Sequence, residues 1–90
     1  MTDKQILQKA IDTYGVRAQS IQAIEEMAEL TKALTKIINY PKELERPTDL
    51  RNNLIEETID VSIMLEQIKM IYGISDEEYK SMYNAKMKRY

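Results

Sequence analysis

The chain has 90 residues and a net charge of −2, which allows one domain with a modest core and gives no general pull toward nucleic acid or anionic membrane. It has no cysteine and no histidine. Disulfides, iron–sulfur clusters, thiolate zinc, thiol nucleophiles and serine–histidine triads are therefore excluded, leaving carboxylate, lysine, arginine, tyrosine and metal-bound water for any chemistry.

Met1–Gln8 is polar and charged, so no secretory signal is expected, and no apolar run approaches membrane-spanning length. A cytoplasmic protein with no membrane partner is the expectation. Both glycines and both prolines fall between helical patterns, and β-branched alternation is missing throughout. The chain reads as a single all-α domain over residues 1–90.

Thr2 can cap a first helix, with Gln5 completing a capping box. Ile6, Leu7, Ala10 and Ile11 give that helix an apolar face, and it ends near Tyr14-Gly15, where glycine suits a left-handed position. The second helix runs from about Val16 to Asn39 and is stopped by Pro41. Its apolar side gathers Ile24, Met27, Leu30, Leu34 and Ile38, its polar side Glu25, Glu29, Lys32 and Lys36, with Glu26 at the border. Asn39–Asp49 is the one long loop. Thr48 or Asp49 is expected to cap a third helix that reaches Tyr72 and closes at Gly73. Ser75 and Glu78 form a second capping box. It opens a last helix, helical in pattern to Tyr90, with Tyr79, Met82, Tyr83 and Met87 on one spacing and Lys80, Lys86, Lys88 and Arg89 around them.

The third helix poses a problem. At about 100° per residue, Ile55, Ile59, Ile63 and Met70 form one apolar stripe, and Val61, Met64, Leu65, Ile68 and Ile71 form another. A helix apolar on most sides is normally buried, yet Glu57 falls in the second stripe and Asp60 between the two. Burying unpaired charge is costly, and neighbouring carboxylates raise each other's pKa unless a cation intervenes. The two stripes also exceed what three short helices of one chain can cover. A helical bundle completed by self-association is the expected architecture.

A loop of roughly ten residues favours antiparallel packing of the second and third helices. At ~1.5 Å per residue, Glu26 and Glu29 lie ~15–20 Å from that loop on one side, and Glu57 and Asp60 ~12–16 Å on the other. Residues at i and i+3 share a helix face, so four carboxylates can face one another at one level. Either pair alone reads as a solvated helix face. The two pairs at matched depth, one on an otherwise apolar helix, read as a site. Four hard oxygen donors without nitrogen or sulfur suit Mg²⁺ or Mn²⁺ and not zinc. Such an ion can clamp a pyrophosphate group and acidify a water molecule.

The run YGVRAQSIQAIEEMAELTKAL followed by EETID resembles the MazG-like all-α nucleoside triphosphate pyrophosphohydrolases, whose signature is ExxE on one helix and ExxD on the next. Glu26/Glu29 and Glu57/Asp60 fall on that signature, with Glu25 and Glu56 extending it. The resemblance implies Mg²⁺-dependent hydrolysis of a nucleoside or deoxynucleoside triphosphate to monophosphate and pyrophosphate. It also implies a homodimer or homotetramer in which helices of two subunits complete each bundle. It places Gln19 near the base and assigns Lys86 and Arg89, in a K-x-x-R pattern, to the phosphates. Lys32 and Lys36 read as solvated salt-bridge partners, although Lys32 is close enough to reach a phosphate as well. With no histidine or cysteine, a spare acid would orient and deprotonate the attacking water, and Glu26 with Glu25 behind it is assigned that role. A competing reading makes the chain a non-catalytic helical interaction module with surface acids. A nucleic-acid binder would need more basic residues than the tail supplies.

Overall fold

A computed structural model describes residues 1–45 and 47–90, with Arg46 in the loop outside the described residues. Four helices follow one another: α1 (Asp3–Tyr14), α2 (Val16–Ile38), α3 (Thr48–Ile71) and α4 (Asp76–Met87). Both capping boxes form. Thr2 Oγ1 accepts from the Gln5 amide at 3.1 Å while Gln5 Oε1 accepts from the Thr2 amide at 2.8 Å. Ser75 Oγ accepts from the Glu78 amide at 3.1 Å and Glu78 Oε2 from the Ser75 amide at 2.9 Å. Each box satisfies two amides that a helix start would otherwise leave without partners.

Glycines make the two tight junctions. Gly73, with φ 65°, terminates α3, and the Ile74 amide reaches back to the Lys69 carbonyl at 2.9 Å, the closing bond of a Schellman turn. Gly15 links α1 to α2 at φ 90° and ψ 160°. Its φ is positive as expected, but its ψ is extended and not left-handed helical, a region that is essentially glycine's alone. That conformation ends one helix and starts the next within a single residue.

Two helix ends differ from the expectation. Pro47, not Thr48 or Asp49, precedes α3, and no side chain caps it. The extended ψ of Pro47, 140°, turns the chain into the helix, and its carbonyl accepts from the Leu50 amide at 3.2 Å. Asp49 instead lies in the first turn, where the helix's positive end favours a carboxylate. At the other end α4 stops at Met87 and does not stay helical to Tyr90. The Arg89 and Tyr90 amides bond three residues back, to Lys86 and Met87 at 3.0 and 3.2 Å, so the final turn tightens as unpacked helix ends do.

The α2–α3 pair dominates the fold, and α1 packs on both of its members. The pairing is antiparallel, because the start of α2 meets the end of α3: Gln19 bonds to Gln67, and Ser20 shares a 2.8 Å hydrogen bond with Tyr72. The face of α2 that meets α3 is not the one its largest apolar residues predict. Gln19, Ala23 and Ala33 are buried and Glu26, Leu30 and Ile37 half-buried, at alternating spacings of three and four. Of the expected stripe only Leu30 turns inward, while Ile24 is 62% and Ile38 73% exposed. Alanine at the contact lets the helix axes approach closely, which compensates for the small area each contributes. In α3 most of the second stripe goes inward, with Met64 buried, Val61, Ile68 and Ile71 half-buried and Leu65 exposed. Most of the first does not: Ile55, Ile59 and Ile63 are exposed and only Met70 is half-buried.

No residue of α4 is buried, and it meets α3 through side chains at its start, where Lys69 reaches Asp76 and lies over the Tyr79 ring. The radius of gyration, 16.3 Å, accordingly exceeds the about 12 Å of a compact domain this long. Among the described residues, no helix is long and apolar enough to cross a membrane.

Candidate metal centre

The heptad-like seam that joins α2 to α3 also positions the acids. Glu26 continues the spacing of Ala23, Leu30 and Ala33, so its carboxylate is carried to the edge of the helix interface. Glu57 occupies the equivalent place on α3, one turn before Val61, and Asp60 projects beside it. Glu26, Glu57 and Asp60 each present an oxygen, and the three oxygens lie within 4.8 Å of one another. Glu26 and Asp60 share a small hollow of about 140 Å³ with Ile63 and Met64.

Among the described residues, no cation pairs with this group. The ion pairs formed by the described residues are Lys32–Glu29, Lys69–Glu66 and Lys69–Asp76, and none involves Glu26, Glu57 or Asp60. Glu57 Oε2 is inaccessible to water and has no hydrogen-bond partner. Burial, and then the charges of Asp60, Glu26, Glu29 and Glu56, push the Glu57 carboxyl above its ordinary value. An orphaned buried carboxylate oxygen among like charges is costly.

These residues fit a hard divalent cation. Around Mg²⁺ the ligand oxygens lie about 2.1 Å from the ion, so opposite ligands are about 4.2 Å apart. Oxygens already within 4.8 Å of one another need only small side-chain adjustments to meet that limit. The Glu57 carboxylate would gain a compensating charge there.

The remaining sequence-assigned residues divide. Glu29 stays outside the converging group and pairs with Lys32 at 3.9 Å, both exposed. Lys32 thus has the surface partner that its spacing suggested. Glu25 is exposed on the outer side of α2. Gln19 is buried, and its Nε2 donates to Gln67 Oε1 at 2.7 Å. Lys86 and Arg89 are not brought to the acids within the chain, because α4 meets α3 only near Lys69, away from Glu57 and Asp60. Lys86 lines a hollow of α4's own with Tyr79, Met82 and Tyr83.

Sequence reasoning missed three residues. Gln22 donates to Glu26 Oε1 at 2.8 Å and so fixes that carboxylate; its position four residues before Glu26 was the available signal. Gln67, only 4% exposed, sits on α3 where Gln19 needs a partner, which no local pattern reveals. Lys69 bonds to Glu66 at 3.3 Å, reaches Asp76 at 3.7 Å and lies 4.4 Å over the Tyr79 ring, tying the start of α4 to α3.

No family model, curated protein or solved structure matches the chain.

Proposed function

We propose that the chain is a Mg²⁺- or Mn²⁺-dependent nucleotide pyrophosphohydrolase, converting a nucleoside or deoxynucleoside triphosphate to the monophosphate and pyrophosphate. The observation that carries this reading is the convergence of one oxygen each from Glu26, Glu57 and Asp60, together with a Glu57 Oε2 that has no partner among the described residues. Glu26, Glu57 and Asp60 would hold the ion, with Glu29 joining if its ion pair with Lys32 opens. When bound, a divalent cation supplies charge neutralisation for a leaving pyrophosphate.

The chain's own part is to activate water. Glu26, fixed through Oε1 by Gln22, would orient a water against the α-phosphorus and take its proton. Attack forms the new P–O bond to the monophosphate and breaks the bond to the bridging oxygen, which leaves with pyrophosphate. Glu25, exposed one residue away, can pass the proton to solvent. Self-association belongs to the same proposal, because Ile24, Leu34 and Ile38 on α2 and Ile55, Ile59 and Ile63 on α3 are exposed and a second copy would cover them.

The test is pyrophosphate release from a nucleotide panel with and without Mg²⁺, in ¹⁸O-labelled water. Label in the monophosphate alone is the expected result. Label in orthophosphate, a phosphorylated enzyme, or no release from any nucleotide overturns the reading. In the last case the exposed apolar faces favour the non-catalytic interaction module.

A further inference from the structure

The Glu26 carboxylate differs from its two neighbours in having a partner. Gln22 Nε2 donates to Glu26 Oε1 at 2.8 Å, and among the described residues this is the one side-chain hydrogen bond that Glu26, Glu57 or Asp60 forms. Gln22 and Glu26 are both half-buried on α2. The terminal torsion of a glutamate is broad, so a carboxylate without a partner turns through many orientations. An amide donor on one oxygen fixes its plane and leaves the other oxygen free for an ion. The donor is also neutral. A lysine or arginine one turn before Glu26 would orient it too, but would offset the charge that attracts a cation. Glutamine orients without neutralising.

We propose that Gln22 is a positioning residue that holds Glu26 as a one-oxygen ligand and so makes the centre select Mg²⁺ or Mn²⁺ over Ca²⁺. This rests on the metal centre of the reading above and concerns which ion that centre accepts. Mg²⁺ takes a tight octahedral shell, binds few carboxylates and keeps places for waters and phosphates. One oxygen each from Glu26, Glu57 and Asp60 leaves such places open. Ca²⁺ is larger, gathers more oxygens and often takes both from one carboxylate. To give both, Glu26 must turn its plane and release Gln22. The hydrogen bond therefore opposes the calcium arrangement and leaves the magnesium one undisturbed. α1 supplies an internal control. Gln8 Nε2 donates to Asp12 Oδ1 at 2.8 Å with the same spacing, but both residues are exposed and Asp12 lies outside the converging acids. A pair of that kind supports its helix and has no bearing on an ion.

The test uses the full chain. Mn²⁺ binding is followed by the electron paramagnetic resonance signal of the free ion, with Mg²⁺ and Ca²⁺ as competitors, and circular dichroism checks that helicity is retained. The unsubstituted chain should prefer Mg²⁺ to Ca²⁺. Gln22→Met, which keeps the length and removes the donor, should narrow that preference about tenfold, the scale of one hydrogen bond to a charged group. Gln22→Ala should narrow it similarly, and Gln8→Met should leave it unchanged. A preference unaltered in both Gln22 variants, or narrowed equally by Gln8→Met, overturns the proposal, as does an unsubstituted chain that takes Ca²⁺ as readily as Mg²⁺. Absence of Mn²⁺ binding overturns it together with the metal-dependent reading. Pyrophosphate release is assayed in parallel. Hydrolysis with the preference unaltered removes this inference alone, and a narrowed preference in a chain that hydrolyses nothing removes only the enzymatic reading.

Discussion

In the α2–α3 hairpin a methionine and two alanines are buried, whereas in α4 two methionines and two tyrosines are exposed, Met82 at 65%. Side-chain size therefore does not decide which surface becomes core. The hairpin gains its packing from a seam of small and medium residues repeated over about five turns of helix, held in register by the Gln19–Gln67 pair. α4 carries the larger apolar residues but has only the Gly73 turn and Lys69 to hold it. The hairpin's regularity also brings Glu26 and Glu57 into the seam, so the acids belong to the most constrained part of the chain. The region that is best ordered by its own packing carries the candidate chemistry; the region that is not leaves its larger apolar residues exposed.

The comparison breaks first on activity. If the hairpin alone houses the chemistry, Glu26→Gln should lower turnover by ~10²–10⁴-fold, the usual scale for losing a general base, while nucleotide binding persists in equilibrium measurements. Tyr79→Ala in α4 should leave kcat within a few-fold at protein concentrations that saturate any dimer. Equal losses from the two variants would mean that α4 takes part in the chemical step.

Stability should divide in the same way. Met64→Ala, at the buried seam, should cost about 2–5 kcal/mol in urea denaturation. Met82→Ala should cost under about 0.5 kcal/mol at protein concentrations low enough to populate the monomer. A large monomeric cost for Met82 would show that α4 packs on its own chain in solution.

Metal should act on the hairpin alone. A ligand that binds only the native state stabilises by about 2.7 kcal/mol at a hundredfold excess over Kd, which for a domain of this size raises Tm by roughly 10–20 °C. Glu57→Gln and Asp60→Asn should each remove most of that rise. A melting temperature flat across millimolar Mg²⁺ would exclude the site.

The smallest effect is in the pH dependence of the metal-free protein. Burial and its neighbours raise the Glu57 carboxyl in the folded state, so the folded protein holds this proton more tightly than the unfolded chain. Stability should fall as pH rises from the ordinary carboxylate value through the raised one, and Glu57→Gln should flatten that fall. Glu78 is shifted the opposite way, lowered by the Ser75 amide and hydroxyl. Its contribution is present above the ordinary value and lost as pH falls through the lowered one. Chemical denaturation from about pH 2 to 8, with and without Glu57→Gln and Glu78→Gln, separates the two slopes.

Much of this was legible in residue order. The capping residues at Thr2 and Ser75, the glycines at 15 and 73, and the prolines around the loop fixed where helices begin and end to within a few residues, because those signals act over three or four positions. The two acidic pairs were legible for the same reason, as i and i+3 spacing is local. Which face of α2 meets α3 was not. Ile24, Met27, Leu34 and Ile38 outweigh Ala23 and Ala33 in any count of apolarity, but small residues allow the closer approach and win the contact once a partner helix is present. The same step made Glu26, Glu57 and Asp60 converge while leaving Glu29 to Lys32, since three positions along a helix, about 60° around it, separate a half-buried carboxylate from a solvated one. Residue order therefore determined the helices and the acids they carry. The packing of α2 on α3 decided which of those acids meet, because that depends on a helix phase that only the partner helix sets.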